Sequence, residues 1–223
     1  MAGFTGIRDF IDKQEAGNYR YSCFRKSFSN GTSSRSWYDM AQIPGIPKIL
    51  YYANTPLESK ALSQSGNGGI WHGGNVSPAY KYVSKMSLMS TLVAGGPPAK
   101  FILCDYLMFY PFVDTGTDEE QFTSNVESIT RHTTGEGVKI ICVSGGQSTT
   151  NRTFHVTYTN QDGVAGRVTP PHKISNSSFV GTIVNSMFNP ASNYAGPFLC
   201  LQEGDTGVRS IESVQILDGT DVG

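Results

Sequence analysis

Arg152-Thr-Phe-His-Val-Thr-Tyr-Thr159 is the stretch that decides the fold of this chain. Apolar and polar side chains alternate strictly in it, with Phe154, Val156 and Tyr158 at every second position. A period of two places these three side chains on one face of a β-strand and the intervening threonines and histidine on the other. The stretch therefore predicts a strand with one buried face.

The residues that follow predict the partner of this strand. Asn160-Gln-Asp-Gly163 has the composition of a turn, and Val164 to Thr169 can return as the second strand of a hairpin until Pro170-Pro171 ends it. Residues 79–93 fit either a helix or a strand, and we expect a strand. Other short strands are predicted at 48–52, 101–112, 138–143, 179–184, 198–201 and 208–217, of which 101–112 and 138–143 are apolar enough to be buried on both faces.

The composition agrees with a mainly β protein. Only 16% of the 223 residues are charged, whereas Gly, Ser, Thr and Asn recur throughout, as expected for short strands joined by many turns. The strands follow one another without a βαβ rhythm. We therefore predict an antiparallel β-sandwich or jelly-roll-like barrel with a short N-terminal α-helix and an extended arm.

Residues 5–16 are predicted to form that helix. Phe4, Ile7 and Ile11 recur at helical spacing, Thr5 is a candidate N-cap, and Gly17 is a candidate C-terminal stop. An isolated helix of this length is unstable in water, so its apolar stripe has to pack on this domain or on another chain.

The arm begins at Trp37-Tyr-Asp-Met40 and continues through Ile43-Pro-Gly-Ile-Pro47. Its prolines remove backbone donors and favour extended conformations, so the segment suits a clamp over a neighbouring surface. An ordinary loop whose Trp37 fills the core of its own domain fits the sequence equally well. We divide the chain into residues 1–47, the helix and arm, and residues 48–223, a single β domain.

Charge and apolar patterning exclude several classes of partner. Seventeen basic and 18 acidic residues give a net charge of -1, so neither nucleic acid nor an anionic membrane is an expected partner. The N-terminus lacks the apolar core of a signal peptide, and no apolar run reaches the length of a membrane span. We expect a soluble protein made in the cytoplasm, with four buried free thiols at Cys23, Cys104, Cys142 and Cys200.

The sequence contains little that predicts cofactor or metal chemistry. It lacks a phosphate-binding P-loop, and its four histidines stand apart without metal-ligand spacing. The acidic loop Asp114 to Glu120 could hold a hard cation, but it lacks the order of a calcium loop, and a solvated surface loop explains it better. We expect no cofactor and no metal.

One pattern permits an enzymatic interpretation. Asp-Thr-Gly occurs at Asp114-Thr-Gly116 and at Asp205-Thr-Gly207, and aspartic proteases use two such triplets to share one proton between two carboxylates. Only the first copy follows an apolar strand, and no repeated sequence flanks the two. Turn formation explains both triplets better.

Several segments, read in order along the chain, resemble a family of tailed-bacteriophage virion proteins. They are Trp37-Tyr-Asp-Met40, Trp71-His-Gly-Gly-Asn-Val-Ser-Pro78, Arg131-His-Thr-Thr-Gly-Glu-Gly137, Tyr158-Thr-Asn160 with Ala165-Gly-Arg167, and Asn193-Tyr-Ala-Gly-Pro-Phe198 with Gly204-Asp-Thr-Gly-Val-Arg-Ser210. The resemblance implies a structural virion protein without catalytic residues. It points first to a capsid decoration or cement protein on the exterior of the virion, bound to the major capsid protein, and second to a tail or head-tail connector protein.

The residues expected to bind are the apolar ones outside the β body. They are Phe4, Ile7 and Ile11 of the helix and Trp37, Tyr38, Ile43 and Ile46 of the arm. The partners expected are the major capsid protein and further copies of this chain, as a homodimer or homotrimer. A glycan-binding adhesin and an aspartic-protease-like enzyme using Asp114 and Asp205 are the alternatives from other classes.

Overall fold

The computed structural model describes residues 4–28, 36–49, 54–63, 68–74, 76, 80–87, 89, 100–146, 152–174, 179–185 and 196–218. Within these ranges the protein is mainly β, as predicted, with one α-helix and antiparallel sheets. The elements in chain order are α1 (Ile7–Glu15), β1 (Arg25–Lys26), a 3₁₀ helix (Met40–Gln42), β2 (Gly45–Ile46), β3 (Lys60–Ala61), β4 (Met108–Phe109), β5 (Gln121–Phe122), β6 (Thr153–Asn160), β7 (Arg167–Val168), β8 (His172–Lys173) and β9 (Val208–Ile216).

The strand predicted first, β6, is the centre of the largest sheet. Strands β5, β9, β6 and β7 follow one another in space, β8 also pairs with β6, and every pairing is antiparallel. Phe154, Val156 and Tyr158 are buried and the residues between them are partly exposed. The alternation of apolar and polar residues therefore arises, as predicted, because one face of β6 packs on a core and the other face does not.

The core of the protein packs against that face of β6. β9 contributes Val208, Val214 and Ile216, and residues outside the sheet close the cluster. The other members are Ile140, Ile174 and Leu199, with Val113, Cys142, Val184, Leu201 and Ile211 at its margin. The two long strands and three irregular segments thus share one apolar interior.

Two register shifts in β9 tie this strand to the turn after β6. Each leaves one residue of β9 without an opposite residue, first Glu212 and then Arg209. The Glu212 carboxylate accepts hydrogen bonds from Thr159 Oγ1 at 2.7 Å and from the Gly166 N–H at 3.1 Å. Arg209 Nε donates to the Gln161 carbonyl at 3.0 Å. The shifts therefore direct two charged side chains onto the hairpin connection, as β-bulges commonly do.

The predicted hairpin is confirmed, although its second strand is short. The Gly163 N–H donates to the Asn160 carbonyl at 3.0 Å, and β7 returns antiparallel to β6. Pro170-Pro171 interrupts the pairing as expected, but β8 then resumes it. The sequence interpretation missed β8 because only two of its residues pair.

Two predicted strands are wrong over most of their length. Of residues 101–112 only β4 is a strand, paired with β3, while residues 101–105 are exposed. Phe112 has a φ of 62°, which is incompatible with an extended strand. Of residues 138–143 only Val143 forms a β-bridge, with Ile183. Elsewhere the backbone of this segment accepts hydrogen bonds from the N–H groups of Val184 and Leu199. Its partners change from residue to residue, so no regular ladder forms.

The other expected strands have mixed outcomes. Residues 208–217 are confirmed as β9, whereas residues 198–201 and 179–184 contain no strand and only isolated bridges at Thr182 and Ile183. Residues 80–87 and 89 lie in no strand or helix, so the predicted strand is absent there. Residues 50–52 of the prediction at 48–52 lie outside the described residues.

The chain forms two compact units that are each made of two separate stretches. The first unit is Met1–Cys23 with Ile70–Asp105, and the second is Phe24–Gly69 with Tyr106–Gly223. The helix and the arm therefore belong to different units. The division into residues 1–47 and 48–223 describes chain order and stays a prediction.

Candidate functional site

The first unit exposes apolar side chains and, among its described residues, buries none. Every buried apolar side chain in the described part of the protein belongs to the second unit. The described residues of this unit therefore gain little stability from the hydrophobic effect. Sixteen large apolar side chains are exposed among the residues of this unit that the structure describes: Phe4, Ile7, Ile11, Tyr19, Tyr21, Ile70, Trp71, Val76, Tyr80, Tyr82, Val83, Met86, Met89, Phe101, Ile102 and Leu103.

Helix α1 presents the predicted apolar stripe to solvent. Phe4, Ile7 and Ile11 are 44%, 80% and 41% exposed, and no residue of the helix is buried. The Phe4 ring lies 5.3 Å from the rings of Phe10 and Tyr82, centroid to centroid. These rings hold the start of the helix within the first unit, but they do not cover its stripe.

The ends of α1 agree closely with the sequence prediction. Gly17 has a φ of 74°. Its N–H donates to the Gln14 carbonyl at 2.9 Å, and the Asn18 N–H donates to the Lys13 carbonyl at 2.9 Å. This pair of bonds is the Schellman arrangement, and it confirms the glycine stop. The predicted N-cap is wrong by one residue, because Gly6 occupies that position.

The arm lies against its own unit over most of its length. The Asp39 N–H donates to the Gly181 carbonyl at 2.7 Å, and the Ile183 N–H donates to the Trp37 carbonyl at 2.9 Å. Tyr38 forms a bridge with Thr182. Trp37 and Tyr38 are consequently half-buried within the second unit.

The two isoleucines of the arm have opposite environments. Ile43 is 3% exposed and packs at Gly181, where a Cβ would lie 2.6 Å from the Ile43 Cδ1 atom. Ile46, in β2, is 66% exposed. Ile43 therefore belongs to the interior of this unit and is unavailable to a partner, whereas Ile46 is available.

Asp205 is the centre of a buried polar cluster that the sequence did not predict. Its carboxylate accepts hydrogen bonds from Tyr158 Oη at 2.6 Å, Asn160 Nδ2 at 2.8 Å and Arg167 Nε at 2.9 Å. Burial alone would raise the pKa of Asp205, but the bonds from Arg167, Tyr158 and Asn160 outweigh it and lower the pKa to about 2. The Tyr158 hydroxyl also accepts the Gln202 N–H at 2.9 Å, so the cluster closes one end of the β6–β9 core.

Asp114 and Asp205 have separate surroundings. Asp114 is exposed, and its Oδ1 atom accepts the Gly116 N–H at 2.7 Å, which is turn chemistry. Asp205 is paired with an arginine that keeps it ionised. Two carboxylates share one proton when they lie so close together that both cannot be ionised. The contacts described for Asp114 and for Asp205 do not include the other carboxylate.

The described residues contain no group of three or more His, Cys, Asp or Glu side chains that could hold a metal ion. The predicted burial of the thiols is wrong for Cys23, Cys104 and Cys200, which are exposed. Cys142 lies at the margin of the core, where burial raises the pKa of its thiol to about 12. All four thiols are free, as predicted.

A surface cavity of about 290 Å³ lies beside β9. Three of its polar side chains, Asn125, Glu127 and Arg209, are already bonded within the chain. Asn125 Nδ2 donates to the Ile211 carbonyl at 2.8 Å, and Glu127 forms an ion pair with Lys60. Arg209 donates a hydrogen bond to the turn after β6. These groups brace neighbouring loops and leave the cavity few free donors for a ligand.

No family model, curated protein or solved structure matches this chain. None of the helices in the described residues is long and apolar enough to span a bilayer.

Sequence reasoning found α1 and missed the greater part of the exposed apolar surface. Residues 70–105 carry eleven of the sixteen exposed side chains. The sequence pattern predicted a buried strand at 101–112 and a strand at 79–93, and it predicted no element at Ile70, Trp71 or Val76. Burial depends on what a segment packs against, and local periodicity carries no record of that. The one signal available in the sequence for this exposure was the length of the apolar run at 101–112, which exceeds that of any partner strand in the same chain.

Proposed function

We propose that this protein is a structural component of a tailed-phage virion, a capsid decoration (cement) protein that binds the major capsid protein and stabilises the head. It is synthesised in the bacterial host cytoplasm, lies on the exterior of the capsid and acts by binding, without catalysis or a cofactor. The observation that carries this proposal is the first unit, which exposes sixteen large apolar side chains and buries none among the described residues.

The exposed surface is large enough for a stable interface. Each of these side chains can bury on the order of 100 Å². Together they exceed the roughly 800 Å² that one partner contributes to an interface of standard size. Repeated over a symmetric shell, contacts of this kind resist internal pressure through avidity.

We assign capsid contacts to Phe4, Ile7 and Ile11 of the first unit. A separate assignment is made in the second unit, to the exposed Ile46 and the half-buried Trp37 and Tyr38. Unmatched apolar groups at the centre of an interface contribute most of its binding energy. The second unit supplies a stable β body, which we propose to be part of the sandwich or jelly-roll fold indicated by the sequence.

A binding assay with purified expanded capsids tests this function. The variant Ile7→Asp/Ile11→Asp places two charges on the apolar stripe and should weaken capsid binding at least 10-fold, since each buried anchor is worth about 1–2 kcal/mol. Its thermal unfolding should stay unchanged, because neither side chain is buried.

The matched control is Val126→Asp/Val180→Asp, which makes the same kind of change at two exposed valines of the second unit. It should bind capsids as the wild type does. Equal binding by both variants would remove α1 from the function. Counting this protein against the major capsid protein in purified virions tests head against tail, because a ratio near parity would favour a decoration protein over a tail protein.

A further inference from the structure

Two triplets of the first unit, Tyr19-Arg20-Tyr21 and Tyr80-Lys81-Tyr82, each place a basic residue between two tyrosines. Both basic side chains contact the same short segment, residues 71–74. Arg20 Cζ lies 3.9 Å from the centroid of the Trp71 ring. Lys81 Nζ donates to the Gly73 carbonyl at 2.9 Å and also to the carbonyls on either side of it. Residues 71–74 therefore bring the two triplets together within the first unit.

Side chains from two other parts of the unit fix the conformation of residues 71–74. Ser22 Oγ donates to the Trp71 carbonyl at 2.6 Å, so that four consecutive carbonyls have side-chain donors once the bonds from Lys81 are included. Gly73 has a φ of 86°, and an added Cβ would lie 2.9 Å from Arg20 Nε. The glycine therefore leaves room for Arg20 beside the ring. Because these groups are held before a partner binds, less entropy is lost on binding.

The Arg20 guanidinium is held in place and still has donors to offer. It is exposed, and it forms no hydrogen bond among the described residues, whereas Lys81 uses its donors within the chain. The cation–π contact with Trp71 orients it. A guanidinium carries its N–H donors in a planar fork that matches a carboxylate. Of the two basic residues in the triplets, Arg20 is therefore the one available to an anion.

The surroundings of Arg20 have the composition of the centre of a protein–protein interface. Trp71 and the four tyrosines of the triplets are each at least 50% exposed. Residues 16–23 and 70–104 contain no Asp or Glu, and the acidic residues of the first unit are those of α1 and Asp105. Interface centres are rich in Tyr, Trp and Arg and poor in Asp and Glu. A positive charge in such a surface favours an acidic partner.

The triplets are also continuous with the capsid contact assigned to α1. The Tyr82 ring lies 5.3 Å from the Phe4 ring, centroid to centroid, within the same unit. A protein that covers Phe4 would therefore meet this surface as well. A nucleic acid fits less well, since it carries a phosphate on every nucleotide and is bound by several free basic groups, of which the triplets provide one.

We propose that Arg20, stacked on Trp71, binds a carboxylate of the major capsid protein, with the exposed tyrosines of the two triplets around it. This inference rests on the proposed capsid binding, and it names the chemistry of the capsid surface that the first unit contacts.

Substitution of Arg20 tests this side of the contact. Arg20→Gln should raise the dissociation constant for purified expanded capsids about 10-fold at low salt, because the capsid carboxylate loses its partner. Arg20→Lys keeps the charge but lacks the planar fork, so it should bind at least about 3-fold more weakly than the wild type. The matched control is Lys139→Gln, which removes one positive charge at an exposed position of the second unit and should bind as the wild type does.

Modified capsids test the partner without altering this chain. Carbodiimide and glycinamide convert exposed capsid carboxylates to amides. The wild type and Lys139→Gln should bind treated capsids about 10-fold more weakly than untreated ones, whereas Arg20→Gln should bind both equally. Undiminished wild-type binding to treated capsids, or an equal loss in Arg20→Gln, would overturn the proposal.

The outcomes separate this inference from the proposed function. A wild type that does not bind untreated capsids overturns both. Capsid binding that Arg20→Gln leaves unchanged overturns this inference alone. If the free chain also binds labelled oligo(dT) and Arg20→Gln abolishes only that binding, the surface belongs to nucleic acid instead.

Discussion

The Asp205 carboxylate shows how a single buried charge organises the end of a sheet. It holds side chains from β6 and β7 together, because the three side chains that donate to it satisfy both carboxylate oxygens. Such a cluster stabilises when it is complete and is costly when one member is lost, because the others remain buried. Asp205 is therefore a structural residue of the second unit.

Replacing Asp205 by asparagine should lower the free energy of unfolding by about 2 kcal/mol at pH 7, since the charge-assisted bonds to Arg167 and Tyr158 are lost. The folded pKa of about 2 lies below the unfolded value of 3.8. Ionisation of Asp205 therefore stabilises the fold above about pH 4, and this contribution is lost as the pH falls towards 2. Urea unfolding at pH 7, 4 and 2.5 should show the difference between variant and wild type shrinking.

The control for this measurement is Asp162→Asn, at an exposed aspartate of the turn after β6. It should leave the unfolding free energy within about 0.5 kcal/mol of wild type at each pH. A difference between Asp205→Asn and wild type that stays constant from pH 7 to 2.5 would contradict the assigned role of the charge.

The change Gly181→Ala should destabilise the second unit by about 2 kcal/mol, which thermal unfolding can measure. Gly181 has a φ of 87°, and an added Cβ would lie 2.6 Å from Ile43 Cδ1. Positive φ and steric overlap both disfavour alanine there. The arm would have to shift away from residues 181–183.

Gly204→Ala separates these two causes. Gly204 has a φ of 90°, but nothing lies within 4 Å of an added Cβ. It should cost about 1 kcal/mol from backbone conformation alone. Equal destabilisation by the two variants would mean that contact with Ile43 does not hold the arm in place.

At the scale of elements, the predictions succeeded where the signal is local. Strand β6 alternates over eight residues, and β9 and the helix stop at Gly17 are equally local, so all three were predictable. Residues 101–112 failed because their burial depends on a distant partner. The Arg167–Asp205 pair joins residues 38 apart in sequence, and no short-range pattern records it.

Hydrogen exchange should distinguish α1 from the sheet. A nine-residue helix without a buried side chain is held by few tertiary contacts, so its amides should exchange within seconds at pH 7. Amides of β6 and β9, which cover the core, should be protected for hours. Mass-spectrometric exchange measures both in one experiment, and slow exchange in α1 of the dilute protein would show that the helix is already covered.

For the whole molecule, the contrast between the two units is the main finding. One unit has a continuous apolar core, and the other, in its described residues, has only exposed apolar groups. The second unit is therefore expected to determine thermal stability. The first is expected to gain most of its order from contacts with other polypeptides.

Limited digestion with trypsin at low protein concentration should therefore cut first within the first unit. Arg20, Lys85 and Lys100 lie in its exposed segments, whereas Arg167 and Lys173 lie in paired strands. Mass spectrometry of the earliest fragments identifies the sites. Digestion of the capsid-bound protein should spare Arg20, and a first cut in β7 or β8 would contradict the contrast between the units.

The chain passes between its two units at residues 23–24, 69–70 and 105–106. A force applied to the first unit is therefore shared by three covalent tethers, where a simple N-terminal tail would have one. Proteolysis of any one tether leaves the other two continuous. The first unit should therefore stay covalently attached to the second after a single backbone cut at any one of these crossings.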